Sequence, residues 1–197
     1  MRKEIRVKTL VSSLVLMLAL GAVAVAQDAS PSPAPSYAPP APEKEHSWLK
    51  QLEGEWETES EMLMGPGQPP AKTKGKETVT MFGPYFVFAH GEQGMGGQTM
   101  KSQFTIGYDA AKKTYRGTFV SNCDPTLWTY HAGSVDASGK MLTLEAEGPA
   151  MMLTKKKTTQ YKETFKIVDA DHREFTSSMV DDEGKWITFL TSKYTRK

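Results

Sequence analysis

Cysteine is almost absent from this sequence. Cys123 is the single cysteine among 197 residues, so no disulfide can form within the chain. It follows Asn122 and precedes Asp124-Pro125, and free cysteine is usually buried, so we interpret Cys123 as a packed loop residue. An intermolecular disulfide is the alternative. A catalytic thiol is the least favoured role, because the local sequence offers no His/Asn arrangement to activate it.

The sequence also lacks the motifs of common catalytic sites. It has no Gly-x-Ser-x-Gly motif, and the glycine-rich stretch 94–97 is followed neither by Lys-Ser/Thr nor by a predicted helix, which excludes a phosphate-binding loop. No Met-x-x-Met array or His-Met cluster indicates copper, and the four histidines form no close cluster of metal ligands. We therefore assign no catalytic residue, no metal and no cofactor, and we do not predict an enzyme.

Long hydrophobic runs are confined to the N-terminus. Four basic residues precede residue 9, residues 10–25 are mainly apolar, and Ala24-Val25-Ala26 offers small residues for cleavage. This order is typical of an export signal peptide covering 1–26, with cleavage near Ala26-Gln27 and a periplasmic or extracellular destination. An uncleaved membrane anchor is the alternative, although the apolar run is at the short end for a spanning helix. After cleavage we expect no stable membrane insertion.

Excess positive charge is absent too. The signal segment contains four basic residues and one acidic residue, so its removal takes the formal net charge from +1 to −2. A mildly acidic protein does not attract nucleic acid or anionic lipid. We exclude a nucleic-acid partner for this reason.

Proline is concentrated in one segment. Residues 27–45 hold six of the twelve prolines, interleaved with alanine and serine. Such a composition cannot bury enough apolar surface to fold and favours extended polyproline II, so we predict a disordered linker. Residues 46–197 remain for one domain with a substantial core.

The domain begins with a change of hydrophobic period. Trp48, Leu49 and Leu52 fit one short amphipathic helical segment, which Gly54 ends. From Glu55 onward, four glutamates alternate with Trp56, Thr58, Ser60 and Met62. Successive strand side chains point to opposite faces, so Trp56 begins an inward row and the acids form a solvated row rather than paired catalytic carboxylates.

Little sign of helix follows. Segments rich in threonine, valine, phenylalanine and tyrosine recur between glycine, proline and aspartate turns, at 73–82, 85–92, 99–108, 114–121, 127–136, 141–147, 158–168, 173–180 and 186–194. With the strand at Trp56 they predict an all-β protein of about ten strands. Nearly every connection suits a hairpin, and closure removes the exposed edges of a meander, so we predict an antiparallel up-and-down β-barrel preceded by a short helix. A barrel of this size leaves internal space.

The domain resembles the calycin-like barrels, namely lipocalins, fatty-acid-binding proteins and their bacterial relatives. Leu52-Glu53-Gly54-Glu55-Trp56 and the meander carry this resemblance over approximately residues 46–197. More closely, the segments 106–109, 115–120, 133–136 and 139–144 resemble a family of exported bacterial proteins catalogued only as a domain of unknown function. The resemblance implies the fold and transfers no catalytic residue. Haem-binding relatives use a histidine near the end of the barrel, and residues 185–196 contain none, so haem is not expected.

Internal space suggests a non-enzymatic barrel that binds a small apolar or amphipathic molecule, and a small lipophilic molecule is the expected partner. An envelope interaction protein with a packed lumen is the alternative. His90 and His131 are candidate polar anchors, and with Glu92 they could bind a metal, although the pattern favours hydrogen-bonded or outward-facing histidines because no close cluster of metal ligands is present. The candidate wall residues are Trp56, Phe88, Met100, Phe104 and Trp186.

Overall fold

The computed structural model describes residues 38–65, 67–150 and 153–197. The predicted signal peptide and most of the predicted linker therefore lie outside the described residues. Helix α1 (Lys44–Trp48) continues into a 3₁₀ helix (Leu49–Leu52), as the short amphipathic pattern predicts. Within the described part of the chain, no helix is long and apolar enough to cross a membrane.

The rest of the domain is one antiparallel sheet of eleven strands. The strands in chain order are β1 (Gly54–Met62), β2 (Ala71–Phe82), β3 (Phe86–Met95), β4 (Gln98–Asp109), β5 (Thr114–Ser121), β6 (Asp124–Tyr130), β7 (Ala132–Val135), β8 (Met141–Pro149), β9 (Thr158–Ile167), β10 (His172–Val180) and β11 (Trp186–Arg196).

The sheet order confirms the predicted all-β meander. Neighbours run β6-β5-β4-β3-β2-β1-β11-β10-β9-β8-β7, so β11 returns to pair with β1. The predicted number of strands is one too low, because the segment 127–136, predicted as one strand, contributes to two, β6 and β7. At His131 the chain leaves β5 and joins β8: Gly117 pairs with Tyr130, whereas Ala132 pairs with Glu145.

Side chains complete the barrel where β6 and β7 would otherwise be sheet edges. Thr114 Oγ1 on β5 donates to Gly133 O (3.0 Å) and accepts from Gly133 N (2.9 Å). Trp128 on β6 lies against Gly148 on β8, where a β-carbon would come within 2.3 Å of the indole. The barrel is thus nearly closed, with packing and side-chain hydrogen bonds in place of a backbone ladder at this seam.

The helical segment covers one end of the barrel, which we call the helix end; the other is the open end. Leu49 and Leu52 are fully buried there. Trp48 Nε1 donates to Gly139 O (2.7 Å), and Tyr115 hydroxyl donates to Glu45 O (2.8 Å). The apolar stripe of the helix therefore acts as a plug, anchored to β5 and to the turn before β8.

Trp56 ties the first and last strands together at the helix end. Its indole donates to Leu52 O (3.0 Å), and the Arg196 guanidinium lies 4.1 Å from the indole centroid. Gly54 has φ +132°, and a β-carbon there would lie 2.1 Å from Arg196 Nη1. Glycine at this position therefore lets the Arg196 side chain pass over the backbone and bind Glu53 O (2.8 Å).

The acidic row of β1 faces solvent, as expected. Glu59 and Glu61 are exposed and form ion pairs with Lys74 (2.8 Å) and Lys72 (2.9 Å) on β2. The Lys74 ammonium, through its hydrogen bond and charge, lowers the pKa of Glu59. Exposed pairs of this kind contribute little to stability, so the row is a solvated surface.

The interpretation of Cys123 as a packed residue is wrong. Cys123 is exposed. It occupies the tip of the β5–β6 hairpin beside Asn122, whose exposed side chain accepts a hydrogen bond from Lys101 N (2.7 Å) and donates one to Thr99 O (3.2 Å) on β4. Hairpin tips project into solvent, so the tendency of free cysteine to be buried does not apply at this position.

Candidate functional site

The lumen, meaning the space bounded by the inward faces of the strands, differs between its two ends. Towards the helix end most inward residues are buried, as at Val79, Val87 and Ile106, while Met81 and Tyr108 are partly buried. Towards the open end, the inward residues of β1 to β6 are partly solvent-accessible. These residues are Met62, Thr73, Gln93, Met100, Ser102, Phe119 and Trp128.

An aromatic layer crosses the middle of the barrel. The Phe104 ring on β4 lies 5.6 Å from Phe165 on β9 and 6.0 Å from Phe175 on β10, measured between centroids. It also lies 5.7 Å from Tyr130 and 4.6 Å from Phe119. β4 and β9 lie on opposite walls of the barrel, so these contacts divide the lumen. The part between this layer and the open end is the upper lumen.

Polar side chains line the β1–β3 wall of the upper lumen. Ser60 and Ser192 hydroxyls are 2.7 Å apart, Ser60 also donates to Gln93 Oε1 (3.4 Å), and Gln93 Nε2 donates to Thr73 Oγ1 (2.7 Å). The network joins β11, β1, β3 and β2. It supplies hydroxyl and amide groups on one side of an otherwise aromatic interior.

A buried ion pair lies on the helix-end side of the aromatic layer. The Arg173 side chain is 2% exposed and binds the Glu77 carboxylate. Its guanidinium lies between the rings of Tyr194 (4.0 Å) and Trp56 (4.6 Å). Burial and the neighbouring Glu77 charge raise the pKa of Tyr194 well above its usual range. Charge neutralisation within the pair permits its burial.

Glu163 is a second buried acid, and no basic residue in the described part of the chain forms an ion pair with it. Its Oε1 accepts a hydrogen bond from Ser177 Oγ (2.8 Å), whereas Oε2 is buried with no partner within the described residues. The residue is 8% exposed. Burial raises the pKa of Glu163 to about 8, although the Ser177 bond acts in the opposite direction. Glu163 is therefore mostly protonated at neutral pH, and one carboxyl atom is left unsatisfied.

The register places Glu163 on the open-end side of the aromatic layer. It lies one inward position beyond Phe165 on β9, and Ser177, opposite it on β10, lies one inward position beyond Phe175. Glu163 thus contributes to the floor of the upper lumen. Burial raises the pKa of Tyr130, and the Glu163 charge adds to this shift.

Three predicted wall residues point inward. Phe104 forms the centre of the aromatic layer, and Met100 lies two inward positions nearer the open end, beside Gln93. Trp56 is buried at the helix end, where Arg173 and Arg196 enclose it. The upper lumen therefore includes Phe104 and Met100 but not Trp56. That a ligand contacts them stays a prediction.

Four other candidates lie outside the lumen, so their assignment to the inner wall needs correction. His90 is exposed, and Phe88 stacks on the outward Phe82 ring at 5.0 Å. Their strand turns Val87 and Ala89 inward instead, because β2 pairs Val79 with Ala89 and Met81 with Val87. Both faces of this strand are apolar in sequence, so composition could not identify the inner one.

His131 and Trp186 are outward for separate reasons. His131 is exposed at the break between β6 and β7. Trp186 is 42% exposed because a bulge at Phe189 shifts the β10–β11 register between Ser177 and Ser178. One extra residue reverses the facing of every residue on one side of a bulge. Trp186 thus faces away from the lumen, opposite to Leu190 and Ser192.

The hypothesis of a metal bound by His90, His131 and Glu92 has no geometric basis. Glu92 pairs with Lys76 (3.0 Å) and Lys101 (3.7 Å) on the outer surface. Among the described residues, no three His, Cys, Asp or Glu side chains are grouped as metal ligands. A groove of about 580 Å³ lies between β1, β2 and β11, lined by outward residues such as Glu59 and Lys72 and also by Ser60, Thr73 and Phe189.

Sequence reasoning missed the buried charges. Glu163 alternates with Tyr161 and Phe165, Arg173 with Phe175, and Glu77 with Val79, so each lies on an inward face. The period-2 pattern contained this signal, since an ionisable residue in phase with an apolar row marks a buried charge.

Comparisons with known proteins identify the fold and a family without an assigned activity. A family model described as "Protein of unknown function (DUF1579)" matches residues 41–196. No curated protein is significantly similar to the chain.

Two solved structures show the same calycin-like architecture. The S-type phycobiliprotein lyase CPES from Guillardia theta has a TM-score of 0.51 and 11% identity, over 77% of this chain and 91% of the lyase. Rv2717c from M. tuberculosis has a TM-score of 0.51 and 13% identity, over 76% of this chain and 97% of that protein. At such low identity the likeness concerns the fold alone.

Proposed function

The chain belongs to the DUF1579 family of proteins of unknown function, and we propose that its barrel binds a small, mainly apolar molecule in the upper lumen. The observation that carries the proposal is the partial accessibility of one wall of the lumen at the open end. Gln93, Met100 and Trp128 are partly solvent-accessible there, whereas the facing wall of β8 to β11 is buried, as at Tyr161 and Met179. Ligand sites in barrels commonly lie at such a mouth.

The chemistry of the upper lumen suits an apolar molecule with one polar group. Phe104, Phe119 and Met100 offer apolar surface from β4 and β5. Gln93 and the Ser60–Ser192 pair offer hydrogen-bonding groups, and Glu163 offers an unsatisfied carboxyl oxygen. A mainly apolar wall with a few convergent polar groups is the usual form of a small-molecule site.

A neutral fluorescent probe tests the proposal. N-phenyl-1-naphthylamine should bind the purified domain with a rise in fluorescence, and Met100→Trp should weaken binding at least fivefold because a larger inward side chain narrows the open end. Lys101→Trp is the matched control, since residue 101 points outward on the same strand and forms an exposed ion pair. Equal binding by both variants, or no binding by the parent protein, would contradict the proposal.

A second candidate is an interaction protein of the cell envelope with a packed lumen. An outward aromatic cluster favours it: Phe82 is 61% exposed and stacks on Phe88, and Phe86 is 41% exposed nearby. A pull-down from envelope extracts that is lost on Phe82→Ser, yet unaffected by Met100→Trp, would support this candidate over the first.

Export belongs to the same proposal. The N-terminal pattern of residues 1–26 supports secretion with cleavage near Ala26-Gln27. N-terminal sequencing of the protein from the periplasmic or extracellular fraction should begin at Gln27. A mature chain that retains Met1 and fractionates with membranes would show an uncleaved anchor.

A further inference from the structure

We infer that the polar group accepted by the upper lumen is a cationic nitrogen, an amine or quaternary ammonium on an otherwise apolar molecule, with the Glu163 carboxylate as its counter-ion. The inference deepens the proposed function and rests on it. It depends on two features of the interior: an acid that has no countercharge among the described residues, and the aromatic rings around it.

Glu163 differs from the other buried acid in its partners. Glu77 binds the Arg173 guanidinium, so that pair is neutral as a unit. Glu163 has only the Ser177 hydroxyl on Oε1, and its Oε2 is buried without a hydrogen bond among the described residues. A buried carboxyl oxygen with no partner is costly, and a ligand that supplies a positive charge would satisfy it.

The surroundings of Glu163 favour a cation over other polar groups. Tyr161 and Phe165 flank it on β9, Phe175 lies diagonally across on β10, and Tyr130 is close enough to sense its charge. Aromatic faces attract ammonium groups most strongly in a desolvated site. A ligand carboxylate in the upper lumen would lie beside the Glu163 carboxyl. Arg173 binds Glu77 through Nη2 and leaves its Nε without a partner among the described residues, but it lies on the helix-end side of the aromatic layer.

Binding of a permanent cation would release one proton. Burial raises the pKa of Glu163 to about 8, so at neutral pH the free site holds a neutral carboxylic acid. On binding, the carboxyl O–H bond breaks, the proton passes to solvent, and the carboxylate pairs with the cation. As pH increases towards about 8, the apparent affinity for the cation should therefore rise about tenfold per pH unit. Above about pH 8 it should level off.

Two tyrosines whose pKa values respond to the Glu163 charge do not change charge in the same pH range. Burial raises the pKa values of Tyr130 and Tyr194 well above their usual range, so both stay neutral. On the remaining walls, β8 presents Leu144 opposite Glu163 and β10 presents Ser177. The Arg173–Glu77 pair lies on the helix-end side of the aromatic layer.

Calorimetry with three eight-carbon probes tests the inference: octyltrimethylammonium, octanol and octanoate. At pH 8 we expect octyltrimethylammonium to bind roughly tenfold or more tightly than octanol, and octanoate most weakly. At pH 6.5, titrations in buffers of different ionisation enthalpy should show release of about one proton per ammonium bound. The proton release is measured in the parent protein and needs no variant.

Variants locate the effect. Glu163→Gln should abolish both the ammonium preference and its pH dependence while octanol binding persists, because the amide keeps the shape and the Ser177 bond. Glu145→Gln is the matched control, since Glu145 lies on the neighbouring strand with an exposed side chain. Unfolding curves of each variant confirm that it is folded.

The outcomes separate the inference from the proposed function. If octanol binds as tightly as octyltrimethylammonium, or octanoate binds most tightly, the cation inference is wrong and the proposed function stands. If ammonium binding survives Glu163→Gln, the cation lies elsewhere and the inference is wrong. If none of the three probes binds the parent protein and the neutral fluorescent probe also fails, both fall.

Discussion

Replacing Glu163 by glutamine should stabilise the protein at alkaline pH and change the pH dependence of its stability. The pKa of Glu163 is raised from 4.5 to about 8 by burial. Between these values the folded protein keeps a proton that the unfolded chain loses, so the free energy of unfolding falls as pH rises. At 1.36 kcal/mol per pKa unit, the loss from pH 4.5 to above pH 8 amounts to about 5 kcal/mol.

The glutamine variant lacks this titration. Its amide can keep the Ser177 hydrogen bond, which measures 2.8 Å in the parent protein. Urea unfolding of both proteins from pH 5 to pH 9 should therefore give a stability difference, variant minus parent, that grows by several kcal/mol towards alkaline pH. Other titrating groups cancel in this difference. A difference that stays constant across the range would show that Glu163 titrates alike in the folded and unfolded states, and would refute the reasoning.

Three further outcomes are expected. Arg173→Met should cost about 3–5 kcal/mol of unfolding free energy in urea, because Glu77 would be left as a buried unpaired charge; adding Glu77→Leu should recover most of the loss, and no recovery would contradict this origin. Gly54→Ala should cost about 1–3 kcal/mol, since its φ of +132° and the Arg196 side chain both oppose a β-carbon; an unchanged melting curve would exclude the clash. Cys123 should react with a thiol reagent as fast in the native protein as in urea, whereas protection in the native state would contradict its exposure.

The helix and most strands could be predicted because their residues repeat with a single period. Trp48, Leu49 and Leu52 form the one apolar face of the short helical segment, and this face is buried. In β1 the glutamates alternate with an inward row that begins at Trp56, and the glutamates are exposed as this pattern predicts. Hairpin connections then make an up-and-down order the simplest topology, and the eleven-stranded sheet has it.

The candidate site was only partly predictable, because facing depends on register. In β3 both rows are apolar, and only pairing with Val79 shows that Ala89 is inward while Phe88 and His90 are outward. In β11 the bulge at Phe189 reverses the facing of Trp186 relative to Ser192. Neither the pairing of β3 nor the bulge in β11 can be recognised from local composition. A one-residue shift in register leaves the composition unchanged but moves every side chain to the other face.

The amino-acid order alone specified an all-β meander with a helical plug at its start, because hydrophobic period and turn chemistry are local properties of the chain. It did not specify what occupies the lumen. Phe104 contacts Phe165 because strands distant in sequence form opposite walls of the barrel, and Arg173 on β10 pairs with Glu77 on β2 rather than with Glu163 on β9. Contacts across a closed barrel depend on shear, register and packing together, and these arise only when the whole sheet has formed.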